Sequence, residues 1–145
     1  MKHKILNEHD ERTIALVFDP GDEPVQLLTR FAADYNIRAA RFSAIGAFSE
    51  VVLGYFDVER KDYLRNPVKE QLEVVSLLGD ITLADGKPNV HAHVVVAGRD
   101  AIARGGHLLS ASVKPTLEVL LIESPRHLAR TFKPQFGLAL IDVGA

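Results

Sequence analysis

The stretch DGKPNVHAHVVVAGRDAIARGGH, residues 85–107, decides how this chain is read. Asp85-Gly86-Lys87-Pro88 has the chemistry of a turn, and Asn89 to Ala97 has the apolar content and alternation of a β-strand. Side chains on a strand alternate between faces, so His91, His93 and Val95 share one face and Ala92, Val94 and Val96 the other. Histidines at i and i+2 lie roughly 6.5–7 Å apart at the backbone, and their side chains can converge on one ion about 2.0–2.1 Å from each nitrogen. His107 is the third candidate ligand. The segment Gly98 to Gly106 is short enough to return the next strand alongside, and Gly105-Gly106 permits close backbone approach. Three imidazoles around an open position form the layout of a zinc site able to take water or an anionic ligand. The same spacing also fits a partly exposed polar strand face.

Working outward, Gln71 to Leu83 is a β-rich run that forms a hairpin with Asn89 to Ala97, and Gly79 within it reads as a bulge or bend. Arg12 to Phe18 is a strand with Ile14, Leu16 and Phe18 on one face, broken by Asp19-Pro20-Gly21. A helix starts near Asp22 and Pro24, with proline and acids in its first turn. Val25, Leu28, Phe31, Ala32 and Tyr35 fall at helical spacing and give it a core-facing stripe. Further strands are expected over Ala39 to Ile45, Val51 to Asp57, His107 to Val113, Leu117 to Glu123 and Phe136 to Val143, with a short helical turn around Arg126 to Thr131. The pattern is α+β: one domain over residues 1–145, mostly antiparallel strands, one main helix, and a polar leader over about 1–11.

A chain of 145 residues fits one domain, and its 47% apolar and 25% charged content is that of a folded globule. With no cysteine, thiolate metal sites, disulfides and thiol nucleophiles are excluded, so a metal must be held by imidazole or carboxylate. No apolar run has the length of a membrane span or a signal peptide, so a cytoplasmic protein without a membrane partner is expected. A net charge of -2 and a pI near 6.3 give little support to phosphate-backbone binding, so DNA is only weakly supported as a partner. The nearest approach to basic patches, Arg126/Arg130/Lys133 and Lys61/Arg65/Lys69, read as solvated faces.

No rival chemistry competes with the histidines. The serines lack a nucleophile-elbow context and no phosphate-binding glycine loop occurs. His3, His9 and His127 read as surface residues. Asp57, Glu73, Asp80, Glu118 and Glu123 are candidate acids or bases, but nothing in the sequence brings any of them to the histidines.

An ordered series of segments carries a resemblance. Phe42 to Ala47 (FSAIGA), Leu53 to Asp57 (LGYFD), Glu73 to Ile81 (EVVSLLGDI), Asp85 to Pro88, His91 to Val94, Gly105 to Leu109 and Pro115 to Val119 together resemble the PPC domain, the plant and prokaryote conserved domain also called DUF296. The resemblance runs from about Arg12 to Glu123 and is similar to the stand-alone prokaryotic type. It implies a compact α+β domain with a strongly bent antiparallel sheet, a homotrimer, and a family label of DNA-binding or regulatory protein. It also implies a divalent metal, with zinc expected, on His91, His93 and His107, which match the family's three-histidine pattern. Plant members contact DNA through an Arg-Gly-Arg-Pro hook, which this sequence lacks. The family fold is similar to that of acetolactate decarboxylase, which also holds zinc with three histidines. The resemblance therefore leaves three functions open: a DNA-associated regulator, a zinc-dependent lyase- or hydrolase-like enzyme acting on a small molecule, and a metal- or ligand-sensing trimeric module without catalysis. The apolar residues on both faces of Gln71 to Leu83 are consistent with a buried trimer surface.

Overall fold

The structure, a computed structural model, describes residues 1–7, 11–124 and 127–144, with the side chains of 3–7 left aside. Among the described residues one helix and nine strands form a single domain around one mixed, bent sheet. In chain order they are β1 (Lys2–Asn7), β2 (Thr13–Phe18), α1 (Pro24–Asp34), β3 (Ala40–Asp57), β4 (Asp62–Val68), β5 (Leu72–Ala84), β6 (Lys87–Ala97), β7 (Ala103–Glu123), β8 (Ala129–Lys133) and β9 (Leu138–Asp142). The spatial order is β1-β2-β7-β3-β5-β8-β9, with β4 on β3 and β6 bridging β5 and β7. Every pairing is antiparallel except the short β5–β8 contact, where Leu83 and Ala84 lie beside Ala129 and Arg130.

The alternation in the sequence becomes a two-faced sheet. Ile14, Leu16 and Phe18 of β2, Leu117, Val119 and Leu121 of β7, and Ala92, Val94 and Val96 of β6 all point inward and are buried. They pack beneath α1, whose Leu28, Phe31 and Ala32 close the core. Proline in its first turn and the Glu23 carboxylate, accepting from the Gln26 N–H, set the helix start.

Several boundaries differ from the sequence reading. Ala39 to Ile45 and Val51 to Asp57 are halves of one strand, β3, and the two strands expected either side of Lys114-Pro115 are halves of β7, which runs through that cis peptide. Both long strands bend at shifts of register rather than stopping. At Gly46 they approach closely: its φ is +149° and a Cβ there would lie 2.3 Å from the Thr116 carbonyl oxygen. Gly79 is not the bulge in β5; the register shifts between Val74 and Ser76. Gly79 instead makes room for the Phe42 ring, which would meet its Cβ at 2.3 Å.

The polar leader contributes an edge strand, β1, while His9 and Arg126 lie outside the described residues. No helical turn forms over 127–131; the segment feeds β8, because the edge of β5 offers it backbone partners. β4 and β8 both escaped the sequence reading. No helix among the described residues is long and apolar enough to cross a membrane.

Candidate metal centre

The β5–β6 hairpin and the return of β7 bring the three histidines together. In β6, His91 and His93 project from the face opposite the buried Ala92, Val94 and Val96. His107 of β7 is the direct cross-strand partner of His93, and directly opposed residues of an antiparallel pair present their side chains on one face. Gly105 permits this approach, since a Cβ there would lie 3.0 Å from the Val94 carbonyl oxygen of β6, and Gly106 lets β7 lie against β3, where a Cβ would be 2.8 Å from the Gly54 carbonyl oxygen. The ring centroids are 5.2 Å apart for His91–His93 and His91–His107, and 5.4 Å apart for His93–His107. One nitrogen from each ring lies within 4.8 Å of the other two, so the three could hold a metal ion.

The surroundings differ around each ring. His91 Nδ1 is 3.3 Å from Asp80 Oδ2, its cross-strand neighbour in β5. The Asp80 carboxylate in turn accepts from Arg130 Nη2 at 2.9 and 3.0 Å. Burial raises the Asp80 pKa, but hydrogen bonds from His91 and Arg130 outweigh it and the net effect is a lowered value. His107 stacks on Tyr63 of β4 with centroids 4.6 Å apart, and its Nδ1 is buried with no hydrogen-bond partner. Burial, then the neighbouring charges of His91, His93 and Arg130, push its pKa down to about 4. Burial and His91 lower that of His93 as well, although the residue is exposed.

These observations fit a metal. A transition-metal ligand must be an unprotonated imidazole, and the environment keeps His93 and His107 unprotonated at neutral pH. A carboxylate on the outer nitrogen of a ligand histidine fixes the ring and its tautomer, which is the relation of Asp80 to His91. The buried, unpartnered Nδ1 of His107 carries a desolvation cost that coordination through that nitrogen would remove.

Of the other candidate acids, only Asp80 reaches the histidines. Asp57 accepts from the Glu59 and Arg60 N–H groups in the turn after β3. Glu73 and Glu118 are exposed on the outer face, and Glu123 pairs with Arg12. His127 is exposed, as expected. Lys61, Arg65 and Lys69 are also exposed. Arg130 is not part of a solvated face: its side chain is 8% exposed and bonded to Asp80 and Thr82. Tyr63 and Arg130 were missed because both sit on short strands without apolar alternation.

The sequence profile of the Plants and Prokaryotes Conserved (PCC) domain matches residues 6–125. The chain belongs to this family. A PPC protein of Pyrococcus horikoshii is 33% identical, with TM-score 0.85, over 90% of this chain and 91% of that one. A metal-containing protein of Archaeoglobus fulgidus is 35% identical, with TM-score 0.83, over 97% and 96%. A Bacteroides thetaiotaomicron protein provisionally designated DNA-binding is 26% identical, with TM-score 0.89, over 99% of both chains. The α-acetolactate decarboxylase of Bacillus subtilis, 13% identical with TM-score 0.55 over 87% of this chain and 58% of its own, shares the fold alone. Among functionally curated proteins, none matches this PCC domain chain.

Proposed function

We propose that this PCC domain is a metal-binding protein that holds one divalent ion, zinc, on His91, His93 and His107 and offers its open side to a small anionic ligand. The observation that carries the reading is the convergence of three imidazole nitrogens within 4.8 Å, with Asp80 buttressing one of them. All-imidazole ligation suits zinc, and also copper, nickel or iron, better than calcium or magnesium. When bound, a zinc ion supplies a Lewis acid that polarises an oxygen ligand. The chain's own residues orient and shield: Asp80 holds His91, Tyr63 covers one face of His107, and the strand glycines keep β6 and β7 close. The metal-containing relative from Archaeoglobus fulgidus supports this reading. Zinc titrated into metal-stripped protein should bind at one equivalent per chain, and His93→Ala should abolish saturable binding. Stoichiometric binding by His93→Ala would refute the site.

The expected homotrimer has support from the outer sheet face. Ile45, Val75, Leu78 and Leu120 are all more than half exposed there, an apolar surface that a monomer rarely leaves uncovered. A groove of about 470 Å³ runs beside it, edged by Glu73 and Glu118. Light scattering should give the mass of three chains, and a mass near 15.9 kDa would contradict it.

DNA association is the second reading, favoured by the provisional designation of the Bacteroides thetaiotaomicron relative. It predicts retardation of duplex DNA that weakens steeply as salt rises. The net charge of -2 works against it, and no retardation even at low salt would remove it.

A further inference from the structure

The hairpin of β8 and β9 lies beyond the residues that match the family profile, yet it reaches the histidine cluster. It is attached at two points. At one end Leu128 accepts from the Leu83 N–H and Arg130 enters the sheet beside Ala84. At the other, the Pro134 carbonyl accepts from Lys61 Nζ at 2.8 Å, and Gly137 rests against the Lys61 side chain. Its outer side chains, such as Phe132 and Ile141, stay exposed, so little apolar burial holds it down.

Arg130 is the side chain it delivers. Nε donates to Thr82 Oγ1 at 2.9 Å, Nη1 to the Ala139 carbonyl at 3.1 Å, and Nη2 to both Asp80 oxygens. Nη2 also lies 3.2 Å from His91 Nδ1. Two tautomers of His91 are thus in competition. If Nδ1 accepts from Arg130, the remaining proton sits on Nε2 and blocks it as a ligand. If Nδ1–H donates to Asp80, Nε2 keeps its lone pair. Because Nη2 is engaged by both carboxylate oxygens, Asp80 is held where it accepts the hydrogen bond from His91 Nδ1–H.

Resting on the metal reading above, we propose that Arg130 is a positioning residue for the metal centre, and that the C-terminal hairpin acts through it as a strap that couples its own closure to ion binding. Outer-shell partners of ligand histidines change metal affinity by roughly 10–100-fold. The sign separates positioning from charge alone: removing a cation beside a dication should tighten binding, whereas loosening Asp80 and His91 should weaken it. Arg130→Lys keeps the charge and loses the planar fork, so it should weaken binding too. Linkage is reciprocal, so if the strap helps bind the ion, the ion must stabilise the strap.

The test is zinc affinity by competition with a chromophoric chelator, for wild type, Arg130→Gln and Arg130→Lys, with folding checked by circular dichroism. It is paired with amide hydrogen exchange of the wild type with and without zinc. The expected result is zinc binding weakened about 10–100-fold in Arg130→Gln, measurably weakened in Arg130→Lys, and zinc-induced protection across residues 129–142. Affinity in Arg130→Gln equal to or tighter than wild type would overturn the proposal while leaving the metal site standing. If Arg130→Gln does not fold, exchange decides: no added protection over 129–142 on zinc binding refutes the strap. A wild type that binds no zinc removes the metal reading and this inference together.

Discussion

The two faces of the central sheet come from the same strands, and they are built to different rules. On the inner face Phe18, Phe48, Leu117 and Leu121 are fully buried beneath or beside α1, with apolar neighbours throughout. On the outer face the same strands expose Ile45, Leu78 and Leu120, and Leu78 lies directly across from His93. The inner face is settled by burial, so any apolar side chain of the right size would serve. The outer face is settled by what must meet there: three imidazoles, a carboxylate and a guanidinium whose donors and acceptors have to match. Stability is concentrated on one side of the sheet and chemistry on the other.

That contrast can be broken by mutation. The largest effect is expected from Phe48→Ala, which empties a fully buried site and should cost about 3–5 kcal/mol in urea unfolding. A loss under about 1 kcal/mol would mean that the inner face is not the stabilising one.

A smaller effect should come from pH in the metal-free protein. His107 is lowered from 6.5 to about 4, so between those values the unfolded chain binds the proton that the folded chain refuses. Stability is therefore full above about 6.5 and falls as pH drops toward 4. His93, also lowered, adds to the loss in the same direction. The urea midpoint should drop across this range, and His107→Gln should flatten the drop. An unchanged slope in that variant would show that His107 is not the source.

Least affected should be the outer apolar surface. Leu78→Ser should change the stability of the dissociated chain by no more than about 0.5 kcal/mol, because that side chain is 61% exposed. The same change should lower the light-scattering mass if a second copy covers the face.

The inner face was legible in the sequence because burial writes itself as period. The spacing of Ile14, Leu16 and Phe18, the alternation of Ala92, Val94 and Val96, and the helical stripe ending at Tyr35 each follow from one element's own geometry. So did the placement of His91, His93 and His107, since strand parity and one short hairpin suffice to bring them together. What was not legible depended on a partner. Gly46 and Lys114-Pro115 looked like ends of strands, but pairing with the neighbouring strand shifts register there and resumes beyond, so the chain bends instead of stopping. β4 reads as polar because it is an edge strand with most side chains in solvent, which hid Tyr63. Arg130 looked like a surface cation because its role depends on a parallel contact with a strand about fifty residues earlier in the chain.

The central claim is that the three histidines hold one ion. Its most direct test is elemental analysis of the purified wild type beside the His91→Ala/His93→Ala/His107→Ala variant, after equal exposure to zinc and dialysis. The account predicts about one zinc per chain in the wild type and none in the variant. Metal retained by the variant, or absent from the wild type, would contradict it.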